Sequence, residues 1–331
     1  MVTQHGKSPM KLSKIFAFAF AFALIATTLK AQDFPSRPIK FIVPAPPGGA
    51  PDAVARIISQ RISTQLGQPV IVDNRGGGNG IIGSEAGARA AGDGYTIVMG
   101  YAGPFSINPG LVPNLSYDVI KDFTPLTMLA MSQNVLVVHP SFPARTIKEL
   151  IDLAKAQPGK INYASGGTGQ SSHLSMELLL QMAGAKMTHI PYRGAGPALA
   201  DTVSGHVPLH FLALAPAIPL IKSGKLIALG VTGSSRSHAL PEVPTIAESG
   251  LPGYAVLTWY GALVPSSTPK PIVVRLRDEM VTALKSPEVV EFYNRQGLEL
   301  GGNSSEAFST YLKVEIEKWK QLIKDRGIKS E

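Results

Sequence analysis

Short apolar runs rich in β-branched side chains alternate along most of this chain with stretches whose apolar positions recur every three or four residues. The first run is Ile39-Lys40-Phe41-Ile42-Val43, and Val54, Ile57, Ile58, Ile62 and Leu66 then keep the spacing of one helix face. Strands are expected next at 70–72 and 95–99, separated by a Gly-rich loop and an Ala-rich helix at about 84–91. After a Pro/Asn-rich stretch at 104–118 the alternation restarts, with strand 135–138, helix 146–156, strand 161–164, helix 171–183 and strand 187–190. Short strands near 207–212 and 226–231 and a Pro-punctuated segment from Pro241 to Pro252 follow. This order predicts an α/β fold in which a parallel or mixed sheet covered by helices is built twice. The last third differs. Pro271 and Pro287 stand where helices can start, because the first helical position needs no N–H. Residues 305–325 read as a long charged helix that keeps Ala307, Phe308, Tyr311, Leu312, Glu315 and Trp319 near one face. Such a group is expected to pack back on the first half, giving two lobes between which the chain crosses twice.

Charge changes this picture at the N-terminus. Lys7, Lys11 and Lys14 stand without an acid and precede an uncharged run from Ile15 to Leu29. That run is shorter than the ~20 apolar residues of a membrane span, and Ala31 offers a small-residue cleavage point. Residues 1–31 therefore read as a secretory signal peptide, with a periplasmic product beginning near Gln32. The whole chain carries a net charge of +8, but four of its 31 basic residues fall in the leader, leaving 27 against 23 acids. The remaining cations are scattered, with no basic stripe and no interleaved aromatics, so nucleic acid is not an expected partner. The 331 residues include no cysteine, which excludes disulfides and thiolate metal sites.

Candidate chemistry gathers where strands run into helices. Pro44-Ala45-Pro46-Pro47-Gly48-Gly49-Ala50-Pro51-Asp52 links the first strand to the first helix. Glycines there allow a sharp turn and close approach to a ligand, and a helix N-terminus attracts an anion through free N–H groups and its dipole. A side chain at Gly49 is expected to intrude on the ligand and to strain any positive φ. A second loop, Asn74 to Gly83, spells G-x-G-x-x-G through Gly78, Gly80 and Gly83. A dinucleotide fold needs an acid about 20 residues on. Here the next strand runs into Gly100-Tyr101-Ala102-Gly103, so that reading fails and no cofactor is expected. The third loop, Ser165 to His173, places hydroxyls at a helix start, with Ser171 or Ser172 as a cap. A rival reading is a secreted hydrolase using Ser171 or Ser172 with His173, although no G-x-S-x-G elbow occurs. A fourth junction, Tyr192 to Leu199, again sets Gly194 and Pro197 at a helix start. Four anion-ready junctions make a shared cleft the economical explanation. His206 and His210 are four apart, but Pro208 between them argues for a strand rather than a metal pair. Arg75, Arg193 and Lys225 could meet a substrate carboxylate, with solvation at the surface as the default reading for each.

These segments together resemble the Bug family of periplasmic solute-binding proteins, the TctC-like receptors of tripartite tricarboxylate transporters. The markers include Pro47-Gly48-Gly49-Ala50-Pro51-Asp52, Asn74-Arg75-Gly76, Asp93-Gly94-Tyr95-Thr96, Pro191-Tyr192-Arg193-Gly194, Leu240-Pro241-Glu242-Val243-Pro244 and Trp259-Tyr260-Gly261. The resemblance implies a two-lobed, type II Venus-flytrap fold, each lobe a mixed, mostly parallel sheet flanked by helices. It implies a first lobe from 32–132, a second from 133–252 and a return to the first over 253–331. It also implies a monomer that is not an enzyme, which captures a small organic carboxylate for a membrane permease. A ligand sensor working with a signalling partner is the other reading. The ligand-contact role falls on Gly48, Gly49 and Asp52, on Asn74, Gly78 and Gly80, and on Thr168, Gly169, Ser171, Gly194 and Pro197. Three positions depart from the family pattern. Pro51 replaces a common threonine, Asn79 a common glycine, and Phe211-Leu212-Ala213 lacks an aspartate that many members carry. An ammonium entering a cleft needs a carboxylate partner to offset its desolvation. Without that aspartate, the expected ligand is a carboxylate free of amine, a dicarboxylate or an aromatic acid.

Overall fold

The β-branched run Ile39–Val43 forms β1, which lies parallel between β2 (Val70–Asn74) and β3 (Thr96–Tyr101). The computed structural model describes residues 1–3 and 34–329, so the expected signal peptide, its first three residues apart, lies outside the described residues. Two compact units are distinguished, Met1–Arg37 and Pro38–Glu331, and every element below belongs to the second. Between β1 and β2 runs α1 (Ala50–Leu66), which has Pro51 in its first turn and ends at Gly67 in the left-handed region. Val54, Ile58, Ile62 and Leu66 are buried as their spacing predicts, and Ile57 is half-buried. A 3₁₀ turn over Gly78–Gly80 leads into α2 (Ile81–Ala88), one turn earlier than expected. After β3 come a π-helical turn (Gly103–Ile107) and the short α3 (Asn108–Leu111).

The central element is β4 (Phe123–Val138), a 16-residue strand of which only the last four residues were expected. Its first part, through Gln133, pairs antiparallel with β9 (Leu257–Pro265). From Asn134 onward its partners are β7 (Leu209–Ala213) and β8 (Ile227–Val231). The early part was hidden by Pro125 and two register shifts, at Pro125/Thr127 and Met128/Ala130. Proline lacks the donor a ladder needs and survives in a sheet at such bulges. The second half of the sheet is completed by α4 (Ile147–Ala156), β5 (Asn162–Ser165), α5 (Ser171–Ala183), β6 (Thr188–Pro191), α6 (Ala195–Val203) and α7 (Leu214–Lys222). The strand order is β2-β1-β3-β9-β4-β7-β5-β6, two wings that share β4. Helix α7 went unread because it contains Pro216 and Pro219.

The C-terminal helices begin as predicted, α8 over Lys270–Leu284 and α9 over Pro287–Gln296. Helix α10 (Ser305–Arg326) is capped by Ser304 Oγ, which accepts from the Ala307 N–H, and packs against β4, α3 and the π turn of the first wing. Phe308, Leu312, Glu315 and Trp319 are buried as expected, whereas Ala307 is exposed. Trp259 on β9 meets Phe308 edge-on at 5.4 Å between centroids, and Gly261 makes room, since a Cβ there would lie 2.3 Å from the Phe308 ring. At its other end α10 reaches the second wing, where Arg326 Nε donates to Glu177 Oε2 at 2.5 Å and Gln181 Nε2 donates to Asp325 Oδ2 at 3.0 Å. Among the described residues no helix is long and apolar enough to cross a membrane.

His210 lies on β7, as the strand reading of Pro208 requires, while His206 is in the exposed turn before it. The His210 ring is 1% exposed, its Nδ1 has no hydrogen-bond partner, and burial pushes its pKa down to about 4. The folded state therefore binds fewer protons than the unfolded chain below pH ~6.5, and stability contributed by the neutral ring is lost as pH falls from there toward 4. Each such histidine steepens the fall by up to about 1.4 kcal/mol per pH unit. Urea titrations at pH 7, 6, 5 and 4 should show a shallower decline for His210→Leu than for the parent chain, and parallel curves would contradict the assignment.

Candidate functional site

Two adjacent cavities open between the wings. The larger, about 390 Å³, is walled by Gly80, Tyr101 and Tyr260 from the first wing and by Gln170 and Ser171 from the second. The smaller, about 220 Å³, is walled by Gly48, Gly49, Ala213, Pro216, Phe292 and Leu298, and Tyr260 borders both. Among the described residues, no acidic or basic side chain lines either one.

The Gly48–Gly49 turn is held from behind. Gly48, at φ +87°, donates its N–H to Asp52 Oδ2 at 2.9 Å. Asn74 Nδ2 donates to Asp52 Oδ1 at 2.9 Å, and Arg56 Nε donates to Oδ2 at 3.0 Å. Arg56 Nη2 also reaches Asn74 Oδ1 at 3.1 Å, closing the ring. Asp52 is only 3% exposed; that burial alone would raise its pKa, but the Arg56, Gly48 and Asn74 bonds outweigh it and hold the carboxyl below the usual range. Asp52 and Asn74, expected as ligand contacts, thus brace the turn and do not line either cavity. Because Asp52 is an acid in the first turn of α1, the positive end of that helix already faces a carboxylate.

The second loop is set by Gly77, Gly78, Asn79 and Gly80, all at positive φ. Asn79 tolerates φ +51° as few side chains do, and its amide pairs reciprocally with buried Asn108. Asn79 Nδ2 donates to Asn108 Oδ1 at 2.9 Å, and Asn108 Nδ2 donates to the Asn79 carbonyl at 3.1 Å. Gly80 is required, since a Cβ would stand 2.9 Å from Tyr101 Oη and 3.0 Å from the Pro44 carbonyl, which itself accepts from Tyr101 Oη at 2.7 Å.

Helix α5 starts differently from α1. Its N-cap residue Gln170 makes no side-chain cap, and its first turn holds no acid, so Ser171 brings an uncompensated helix start to the larger cavity. The loop before it is fastened at its base. Gly166 N donates to Ser172 Oγ at 3.2 Å, and Gly169 N donates to His173 Nδ1 at 3.1 Å. Gly169 packs under Leu111 rather than on the cavity. The His173 ring is stacked on His189 at 3.8 Å, and its pKa is pushed down to about 4, by burial first and by His189 second. Glu177 beyond it accepts from Tyr163 Oη and Arg326.

Of the expected site residues, the structure brings Gly80 and Ser171 to the larger cavity and Gly48 and Gly49 to the smaller. Gly78, Thr168, Gly169, Gly194 and Pro197 wall neither. Gly194 instead donates its N–H to the Gly166 carbonyl at 2.9 Å. Tyr101, Thr258, Tyr260, Phe292 and Leu298 were not singled out as contacts. Tyr260 sits inside a motif the sequence displays, but its strand was unread. Phe292 and Leu298 arrive from more than 240 residues beyond the Gly48–Gly49 turn whose cavity they share, which no local pattern can reveal.

Residues 54–328 match the tripartite tricarboxylate transporter family receptor, TctC. The chain belongs to this family. It is 35% identical over 320 residues to protein BugT of Bordetella pertussis, covering 96% of this chain and 98% of that one. Among solved structures it superposes on Rpa4515 of R. palustris with adipate, at 34% identity and a TM-score of 0.78 over 90% of this chain and 99% of that one. It superposes equally on MatC of Rhodopseudomonas palustris with bound malate, at 31% identity and a TM-score of 0.75 over 88% and 100% of the two chains. The fold of this chain is accordingly the two-lobed fold of periplasmic binding proteins, and the two wings are its lobes.

The brace and the turn can be separated by substitution. Gly49 has φ −83°, so the strain expected there belongs to Gly48 instead. Gly48→Val should cost about 1–2 kcal/mol for a side chain in the left-handed region. Gly49→Val should stay within about 0.5 kcal/mol of the parent stability. Asp52→Ala should cost about 1.5–3 kcal/mol, the range for hydrogen bonds to a charged group. Urea denaturation of the three variants checks the order, and a Gly49→Val loss equal to that of Gly48→Val would contradict it.

Proposed function

We propose that this chain is a periplasmic receptor, made with a cleavable leader over 1–31, that closes its lobes on a small organic carboxylate and presents it as a monomer to a tripartite-type membrane permease. The observation that carries the reading is the uncapped, acid-free start of α5 opening on a cleft that, among the described residues, no charged side chain lines. There a carboxylate meets backbone N–H groups and the helix dipole without a competing anion. The α1 start, already matched by Asp52, is the weaker of the two anion sites. The relatives holding adipate and malate support the ligand class. Lobe boundaries at 32–132, 133–252 and 253–331 are supported by the change of β4 partners between Gln133 and Asn134 and by the return of the chain through β9.

Binding without catalysis follows from the state of His173. Its Nδ1 already accepts from Gly169, its ring is stacked in the interior, and its low pKa makes it a poor base for Ser171 or Ser172. Leu212, on which the expected rejection of an amine rests, is buried in the core, while its neighbour Ala213 walls the smaller cavity and carries no acid. An amine bound there would lose its hydration without a counter-charge.

Two measurements test this reading. Intact mass of the periplasmic product should correspond to a chain starting near Gln32. In a calorimetric panel, succinate should bind more tightly than aspartate, and a carboxylate at a hundred times its Kd should stabilise the fold by about 2.7 kcal/mol. Aspartate or glutamate as the tightest ligand would contradict the amine argument, and ester or amide turnover abolished by His173→Ala would favour a hydrolase.

A further inference from the structure

Tyr260 is 7% exposed, yet among the described residues its hydroxyl has no hydrogen-bond partner. It stands on β9 where the two cavities meet and borders both. The hydroxyl itself is not fully buried but opens on the cavities, where a ligand can reach it. Its neighbour Tyr101 differs, because the Tyr101 hydroxyl is spent on the Pro44 carbonyl.

The smaller cavity is chemically unlike the larger. Ala213, Pro216, Phe292 and Leu298 give it apolar walls, and besides Tyr260 its polar side chains, among the described residues, are Ser132 and Gln296. Ser132 Oγ is already engaged with the Gln133 carbonyl at 3.2 Å. Two helix starts reach this cavity: that of α1, whose Gly48 N–H and positive end are taken by Asp52, and that of α7 at Ala213, which is uncapped but has Pro216 in its first turn and so lacks one of the usual free N–H donors. A second carboxylate placed here would be stripped of water and offered no cation. An apolar group would lose nothing. The space is sufficient, since a dry apolar cavity of about 150 Å³ can hold benzene, and this one measures about 220 Å³.

We propose that the smaller cavity is a tail pocket, so that the ligand is a monocarboxylate with an uncharged aryl or alkyl body, and that the Tyr260 hydroxyl donates to its carboxylate at the junction of the cavities. This rests on the carboxylate-binding reading above and narrows it. The carboxylate lies at the α5 start, Tyr260 bonds its inner oxygen, and the body extends past the ring toward Phe292 and Leu298. Burial raises the Tyr260 pKa to about 12, which keeps the phenol a donor at any pH the protein meets.

The test is isothermal titration of the full mature chain with hexanoate, adipate and phenylacetate. Hexanoate and adipate share a chain length and differ in one terminal carboxylate. Hexanoate and phenylacetate should bind at least tenfold more tightly than adipate. Leu298→Lys, with its fold checked by a thermal melt, should narrow or reverse that gap by giving the second carboxylate a cation. Tyr260→Phe should weaken hexanoate and phenylacetate about tenfold while leaving the ligand-free melting temperature unchanged, because no internal bond is lost. Adipate binding as tightly as hexanoate would overturn the tail pocket while leaving carboxylate capture intact. Unchanged affinity in Tyr260→Phe would remove that residue from the proposal. Binding of none of the three by the folded parent would overturn this inference together with the reading on which it rests.

Discussion

A single strand belonging to two sheets constrains the rest of this molecule. Residues 123–133 of β4 use β9 as partner and residues 134–138 use β7 and β8, so each lobe's sheet is completed by the same continuous backbone. Strands twist, and a strand shared by two ladders fixes the relative orientation from which the lobes begin. The cleft is the space this junction leaves, and the loops that follow β1, β2 and β5 meet across it. Helix α10 reinforces the arrangement by packing along β4 in the first lobe and ending against α5 in the second through Arg326 and Glu177. The register shifts in the first part of β4 become intelligible here, because bulges bend a strand and let it serve two curvatures.

The electrostatics of the cleft come from backbone more than from side chains. Three helix starts reach it, those of α1, α5 and α7, and the chain treats them differently. Asp52 supplies α1 with its own anion and is itself balanced by Arg56 and Asn74. Helix α5 receives neither a side-chain cap nor an acid in its first turn. Helix α7 also lacks a cap and an acid, but Pro216 removes a donor from its first turn, and among the described residues no charged side chain walls either cavity.

Much of this architecture was readable in the sequence, and the reasons for the gaps are specific. Helices α4 and α5 and the strands β1, β5 and β6 fell within a residue or two of their expected positions, because periodicity and local caps determine them. Strand β9 and the first part of β4 escaped because Gly261 and Pro125 violate strand preference and are tolerated only through tertiary context. Helix α7 escaped for the same reason, with two prolines in nine residues. Three of the four glycine junctions wall the cavities and the fourth, at Gly194 and Pro197, does not, and local sequence does not tell which of their side chains turn outward. Asp52 and Asn74 looked like contacts since both sit beside the turn, and only the three-dimensional ring with Arg56 reveals them as its support. Tyr260, Phe292 and Leu298 reach the cleft from the C-terminal third, a proximity that depends entirely on the return crossing.

The two cleft loops are secured by different kinds of bond. The first relies on an ion pair whose Arg56 side chain is 56% exposed, and such a pair weakens as salt rises. The second relies on the neutral amides of Asn79 and Asn108, the latter fully buried, which neither titrate nor respond to counterions. As the ionic strength of the medium changes, one half of the mouth thus stays invariant while the other stiffens or slackens.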